Sequence, residues 1–569
     1  MTFVAVPAQP LSRDPATQVI QILRACLVAF PFLCPFVAGP SAGAWQLFAS
    51  GLCAALFLSL TPSGGSMARG LMAWLGLCVA VIALSSQGAM DARLLACAVL
   101  VAVGLSAFAG GGLVRTPLAA RALAWGVLAT AVINAVVGLL QYYNLAEALL
   151  PWVTSPTGGR AWGTLRQRNQ FATLISLGLV AALWLYATRK SQRSPVLMGG
   201  VGVLLLVATA ASGSRTGLLQ IMLIAGGASL VAWRQRRTER PSGTFSLPHP
   251  LALLSMLPLY FVANWLLPRL GGGGSGKTGA SAGALVQRLD PATLGGDSRL
   301  TLWRNVLSLI SERPLTGWGW GELSFAHFVT LYDGPRFPVI LDNAHNLPLH
   351  LAVELGIPAA LLICGGFLWM VCAAKPWRER DPLRLMAWGL LGVILLHSLL
   401  EYPLWYGPFQ LVFGLCLGIL WPGSLKRPKA SSRKIAAFAA AAWIAVIGYA
   451  AWDYTRVSQI YLPREARLPA YRDDTLAKLQ GSWLFSRQVD FAELTLTAVT
   501  PANAAQMHAL AARVVHFSPE PRVIVKLIES AELVGRDAEA HMWAQRFRAA
   551  FPIEFARWLE DRPDDAPEL

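Results

Sequence analysis

Group transfer by side chains requires a residue that can exchange a proton near neutrality and others that hold charge as it develops. The stretch Asp342-Asn343-Ala344-His345-Asn346 offers the first. Leu347-Pro348 and a long apolar run follow, so Asn346 reads as a helix N-cap with Pro348 tolerated in the first turn. His345 then lies beside the positive end of a helix, which disfavours imidazolium, as would neighbouring arginines. A neutral imidazole can accept a proton from a hydroxyl. The plainer alternative is a loop histidine bonded to backbone.

Candidates for holding charge lie elsewhere in the chain. Arg215 sits in the tight turn Ser212-Gly213-Ser214-Arg215-Thr216-Gly217 between two hydrophobic segments. Its guanidinium could grip a phosphate bidentately or simply reach to lipid head groups. Arg299 and Arg304 fall on an amphipathic segment, 299–311, in which Leu300, Trp303, Val306, Leu307 and Ile310 recur at helical spacing. Asp297 or Ser298 could cap it, and both arginines could instead be solvated. Glu354 lies deeper in the helix after His345, where an ionisable group is functional by default or pairs with another helix. His397 and Glu401 are four apart on one helix face, a spacing that also suits a local supporting pair.

The elements that position these residues are membrane helices. Hydrophobic residues make up 55% of the 569 and charged residues 14%, with mean hydropathy +0.50. That balance excludes a disordered chain, a basic-tailed nucleic-acid binder and an ordinary soluble enzyme. The chain reads as an all-α polytopic membrane protein with about thirteen transmembrane helices, since a helix needs ~20 apolar residues to cross a bilayer. The expected spans are 17–38, 42–61, 70–87, 94–113, 122–143, 171–187, 195–212, 217–233, 251–268, 347–374, 383–404, 408–422 and 435–454. The short 195–212 and 408–422 segments could be partly re-entrant. The first segment has too long an apolar run, and too little positive charge before it, for a cleaved signal peptide.

The net charge of +16 takes its meaning from the loops. One alternating set of short loops holds nineteen Lys and Arg residues; the other holds five, namely Arg93, Arg160, Arg166, Arg168 and Arg215. The bias places the first set in the cytoplasm, with the N-terminus inside and the C-terminus outside. It also removes nucleic acid as the explanation of the charge. The eight cysteines all fall in apolar spans, which argues against a disulfide framework or a Cys-based metal site. The outer side then carries the loop 144–170, the Arg215 turn, a large loop at 269–346, the turn 401–408 and a polar region at 455–569. Gly271 to Gly276 followed by Lys277-Thr278 fits a phosphate-loop pattern but follows a membrane helix, so it reads as a flexible linker.

His345-Asn346, nine residues and then Gly356 resembles the H-N-x9-G pattern of the O-antigen ligase superfamily. Ser214-Arg215-Thr216-Gly217 looks like its outer-face Ser-Arg turn. Ser298-Arg299-Leu300-Thr301-Leu302-Trp303, continuing to Arg313-Pro314-Leu315-Thr316-Gly317-Trp318-Gly319, looks like the segment before its catalytic-loop histidine. Two stretches resemble the PglL-type protein O-oligosaccharyltransferases in particular. They are Gly163-Thr164-Leu165-Arg166-Gln167-Arg168-Asn169-Gln170 and His397-Ser398-Leu399-Leu400-Glu401-Tyr402-Pro403-Leu404-Trp405-Tyr406. The resemblance spans about 160–422. It implies a GT-C-like, metal-independent glycosyltransferase without cofactor in the bacterial inner membrane. Such an enzyme moves a glycan from an undecaprenyl diphosphate carrier to an acceptor hydroxyl in the periplasm, probing pilin-like or other periplasmic proteins as acceptors. The resemblance assigns His345 as base and Arg215 and Arg299 as diphosphate ligands. Gln167, Arg168, Asn169, Arg304, Asn346, Glu354, Glu401 and Tyr402 are supporting candidates.

These expectations divide the chain into a transmembrane glycosyltransferase domain, 1–454, and a small helical periplasmic domain, 455–569. Apolar faces in the latter are marked by Ala509, Ala512 and Val515, by Val523, Val525 and Ile528, and by Ala538, Met542, Trp543, Phe547 and Phe551. Paired short helices suggest a tetratricopeptide-like unit, either a cap on the membrane domain or a reader of the acceptor protein. Ligation of O-antigen to lipid A–core and glycan polymerisation share this architecture. A lipid or solute transporter would instead spread its charges through the membrane midplane.

Overall fold

The computed structural model describes residues 14–36, 39–41, 43–61, 66–85, 88–154, 160–188, 195–237, 245–270, 298–424 and 430–562. Among them it is helical, with no strand beyond an isolated bridge between Gly88 and Trp320. The helices are α1 (Pro15–Leu33), α2 (Ala44–Ser59), α3 (Arg69–Ala83), α4 (Met90–Leu113), α5 (Pro117–Tyr142), α6 (Arg168–Ala187), α7 (Pro195–Ser212) and α8 (Arg215–Arg237). There follow α9 (Pro250–Leu254), α10 (Met256–Leu270), α11 (Ser298–Glu312), α12 (Leu323–Val329), α13 (Leu347–Leu355), α14 (Ile357–Ala374), α15 (Pro382–Ser398), α16 (Gly407–Leu420) and α17 (Ala430–Ser458). The C-terminal unit comprises α18 (Ser486–Leu496), α19 (Ala504–Phe517), α20 (Pro521–Leu533), α21 (Asp537–Ala550) and α22 (Pro552–Glu560).

Among the described residues each expected span contains a helix, and eight helical segments, with Pro250–Leu270 counted as one, are long and apolar enough to cross a membrane. Five more, at Ala44–Ser59, Arg69–Ala83, Val196–Ser212, Pro382–Ser398 and Gly407–Leu420, are apolar but shorter. Two expected spans are interrupted. The 251–268 segment divides at Ser255, and the 347–374 segment divides at Gly356, whose φ is +86°. That angle is open to glycine, and Pro358 then starts α14 afresh. The phosphate-loop match at 271–278 and Asp297 lie outside the described residues.

α16 forms the centre of the bundle: all fourteen of its residues are buried. It runs against α4 at backbone distance. A Cβ added at Gly418 would stand 1.8 Å from the Ala107 carbonyl oxygen and 2.6 Å from the Gly111 nitrogen. With lipid as apolar as leucine, such close small-residue packing and its dispersion contacts hold membrane helices together. Gly418→Ala should therefore destabilise the bundle by ~1–3 kcal/mol or more through overpacking. Gly448→Ala, which meets nothing within 4 Å, should leave thermal unfolding in detergent unchanged or slightly later. Equal melting of the two variants would refute the close α4–α16 approach.

The loops gather at two ends of the bundle. At one, Tyr454 bonds Ser41, Arg487 pairs with Asp91 at 2.5 Å, and Gly88 bridges Trp320. At the other, Arg115 bonds the Ser424 carbonyl, Arg234 the Trp377 carbonyl, and Arg384 pairs with Glu379. These are the same two sets that the Lys and Arg bias separates.

The described part of the large loop folds onto α13 and α14. Its helix α11 matches the expected amphipathic segment, but its buried face is turned. Leu302, Val306, Leu309 and Ile310 are buried with Trp318, Leu323 and Leu341, while Leu300 and Leu307 are exposed. In the C-terminal unit the apolar faces are likewise offset in places: Met507, Leu510 and Val514 are buried, and Ala509 and Ala538 exposed. This unit shares its core with the loop. Phe328 of α12 is buried among α19–α21 and stacks on Trp543, Arg546 donates to the Val329 carbonyl, and His516 meets Glu322 at 2.8 Å.

Candidate active site

Glu401 joins the segments that carry the candidate residues. It sits just beyond α15, where its backbone N–H still bonds the His397 carbonyl. Its side chain is 8% exposed. Oε1 accepts from Arg299 Nη2 at 2.5 Å and from Asn169 Nδ2 at 3.0 Å; Oε2 faces His345 Nδ1 at 3.4 Å. Asn169 in turn accepts from the Ser214 hydroxyl at 2.7 Å. That hydroxyl also accepts the Gly217 N–H, tying down the first turn of α8. The N-terminal ends of α6 and α8, the C-terminal end of α15, helix α11 and the loop before α13 therefore meet around one carboxylate.

Burial alone would raise the Glu401 carboxyl. The hydrogen bond from His345 and the Arg299 charge act against it, and the group is held below the usual carboxylate range. An ionised Glu401 is an acceptor only, so a neutral His345 facing it would carry its proton on Nδ1 and keep the Nε2 lone pair for another donor.

His345 is itself held in the left-handed region, at φ +52°, a conformation uncommon outside glycine. Asn343 Oδ1 accepts its backbone N–H at 2.9 Å. One residue on, Asn346 is the expected N-cap: its Oδ1 accepts the Leu349 N–H at 3.1 Å, and its Nδ2 donates to the Leu399 carbonyl at 3.0 Å. Asn346 thereby links the His345 loop to the turn that leads into Glu401. The Tyr402 ring stands edge-on to His345, centroids 5.0 Å apart, and stacks with Tyr406. Burial and the neighbouring Tyr406, Asp342 and Glu401 raise the Tyr402 phenol, keeping it a neutral donor.

The remaining candidates divide. Gln167 caps α6, accepting the Gln170 N–H at 2.6 Å, and half-buried Arg168 begins that helix. Arg215 is the exposed first residue of α8, next to Ser214. Arg304 is exposed on α11 and enters none of the hydrogen bonds or ion pairs described around Glu401. Glu354 does not join them either; it pairs with His350 at 3.3 Å, both side chains 3% exposed. His397 faces Thr173 at 2.8 Å rather than Glu401. His327, the other histidine of the loop, is closed to proton exchange: its nitrogens meet Tyr332 and the Phe337 carbonyl, and burial with Arg336 pushes it down to about 4.

Local patterns did not single out Ser214, His350 or Tyr406. Ser214 adjoins Arg215, and Tyr406 lies four residues beyond Tyr402, but the Ser214 bond to Asn169 spans 45 residues.

Three family models match successive parts of the chain. One described as protein glycosylation ligase covers residues 161–186, one described as O-Antigen ligase covers 200–364, and one described as virulence factor membrane-bound polymerase, C-terminal, covers 385–564. The first contains Asn169, the second Arg215, Arg299 and His345, and the third Glu401 and Tyr402. Similar proteins occur in Acinetobacter baylyi. A general O-oligosaccharyltransferase is 25% identical over 305 residues, 52% of this chain and 49% of that protein. A ComP-specific O-oligosaccharyltransferase is 23% identical over 353 residues, 60% of each. The matched region thus spans about half the length of the first relative and three fifths of the second.

Proposed function

Because this chain is related to the O-antigen ligase superfamily, and within it to the PglL-type proteins, we propose that it is a membrane glycosyltransferase modifying proteins. The donor is a glycan on undecaprenyl diphosphate, and the acceptor is a Ser or Thr hydroxyl of a periplasmic or pilin-like protein. The observation that carries the reading is the Arg299–Glu401–His345 junction, which sets a cation beside an oriented imidazole.

In this mechanism the acceptor hydroxyl gives its proton to His345 Nε2 as its oxygen bonds to the anomeric carbon. The bond from that carbon to the diphosphate oxygen breaks, and its electron pair leaves with the lipid diphosphate. Arg299 uses one of its five N–H donors on Glu401, which leaves others for the departing phosphate. Arg215, at the positive end of α8, is the second phosphate ligand. Direct displacement inverts the anomeric centre, and a product with retained configuration would rule this mechanism out. The leaving group is already activated, so holding charge and orienting reactants are the tasks left to the protein.

Donor recognition can be tested apart from transfer. Arg215→Ala should weaken binding of the lipid-linked donor about tenfold, the scale of one charge-assisted hydrogen bond. Arg93→Ala should not, because Arg93 bonds the carbonyl of Ser85 at the end of α3. Equal donor affinity in the two variants would remove Arg215 from the phosphate site.

Glycan polymerisation is the second reading, favoured by the description of the family matched at 385–564. A deletion strain should retain its lipopolysaccharide ladder and lose glycosylated periplasmic proteins. The opposite result favours ligation to lipid A–core or polymerisation.

A further inference from the structure

Trp303 stands one helical turn beyond Arg299 on α11, so both lie on one helix face. Its indole Nε1–H donates to the Ala344 carbonyl at 3.1 Å, across 41 residues of chain. The peptide that follows this carbonyl is the one entering His345. The Ala344 N–H faces His350 Nδ1 at 3.5 Å, and His350 is steadied through Nε2 by Glu354. Two residues beyond Trp303, Asn305 holds the returning loop from both sides of its amide: Nδ2 donates to the Pro335 carbonyl and Oδ1 accepts the Phe337 N–H. α11 is thus the rail on which the loop leading to His345 is fastened. Its first turn carries Arg299.

We propose that Trp303 is a positioning residue that fixes the catalytic-loop backbone at Ala344–His345 in register with Arg299. The tryptophan ring makes no contact with the reacting atoms. It acts by pinning the carbonyl beside a left-handed histidine, which local backbone preference alone would not hold. His345 then presents Nδ1 to Glu401, the carboxylate that Arg299 also engages. The indole N–H makes the distance between base and phosphate ligand a property of one rigid helix. The inference rests on the glycosyl-transfer reading, so its test carries one arm that does not depend on activity.

The variant is Trp303→Phe in the full chain, which keeps an aromatic ring and removes only the N–H donor and part of the ring. The first arm measures transfer from a lipid-linked donor to an acceptor protein. A fall in kcat of about fivefold to tenfold is expected, the scale of one hydrogen bond, with KM for the donor within twofold and the melting temperature unchanged. The second arm measures carbethoxylation of His345 by diethyl pyrocarbonate relative to exposed His541, read by peptide mass spectrometry. Release of the loop should raise the His345 ratio at least threefold. Unchanged kcat with an unchanged labelling ratio overturns the proposal. So does a loss of kcat that follows a lowered melting temperature, since that is general loosening. If the wild-type chain transfers nothing, the transferase reading fails. The labelling arm then decides alone: a raised ratio supports the role of Trp303, and an unchanged ratio overturns it.

Discussion

His345→Ala should abolish glycan transfer while leaving binding of the lipid-linked donor within about twofold of wild type. A positioned general base contributes roughly 10²–10⁴-fold, so kcat should fall by that factor. Donor affinity should survive because the proposed phosphate ligands, Arg215 and Arg299, lie on α8 and α11 rather than on the His345 loop. Structural damage should be slight. The His345 side chain is 25% exposed, and the loop backbone keeps its bonds to Asn343 and Trp303. The decisive measurement is single-turnover transfer with pre-bound donor, which separates chemistry from binding. Transfer at the wild-type rate would eliminate His345 as the base. An equal loss of donor binding would make it a binding residue instead.

Glu401→Gln should have the second large effect, and a different one. Glutamine keeps an oxygen for Asn169 but has no charge to hold Arg299 and no fixed preference for accepting from His345 Nδ1. The proposed base and phosphate ligand, His345 and Arg299, then lose orientation together. A misplacement of about 1 Å can cost about 10²-fold in rate, and that is the expected drop in kcat. Stability should also become less dependent on pH. The folded Glu401 carboxyl is held below its ordinary range, so its contribution is present above the unfolded value of about 4.3 and fades as pH falls through the folded value. Acidification below about pH 4 should therefore lower the wild-type melting temperature more than that of the variant. Arg299 is 38% exposed, so solvent screens its half of the pair and the stability effect stays smaller than the kinetic one. Parallel acid profiles for the two proteins would show that Glu401 is not held ionised by these partners.

The helices were legible because a bilayer demands length and hydrophobicity, and both are local properties of the chain. The same measure hides breaks. Gly356-Ile357-Pro358 is as apolar as a continuous span, and only the glycine angle and the proline behind it mark the interruption. Face assignment within amphipathic helices was less secure. Leu300 and Leu307 fit the helical period of α11 as well as Leu302 and Leu309 do, and the surface formed by Trp318, Leu323 and Leu341 decides between them. The Asn346 cap was readable since it is reached within three residues. Glu401 could be singled out, but its partners could not: Asn169 lies 232 residues away and Arg299 102. Glu354 could be singled out in the same way, and its partner lies only one turn away, at His350.

The break at Gly356 also bears on the order of assembly. Helix α13 ends with carbonyls that need partners, and the loop supplies them: Trp318 donates to the Val353 carbonyl and Gly319 to that of Glu354, each at 2.9 Å. Ile357 donates in turn to the Pro314 carbonyl at 2.8 Å. These bonds close within about forty residues of chain, as does the Trp303–Ala344 link. These bonds close over shorter stretches of chain than the 102 and 232 residues that separate Glu401 from Arg299 and Asn169, so the segment 298–374 can order before them. Glu401 and Asn169 must find it across the bundle afterwards. His345 is then placed first, and the carboxylate that faces it arrives only once the helices have come together.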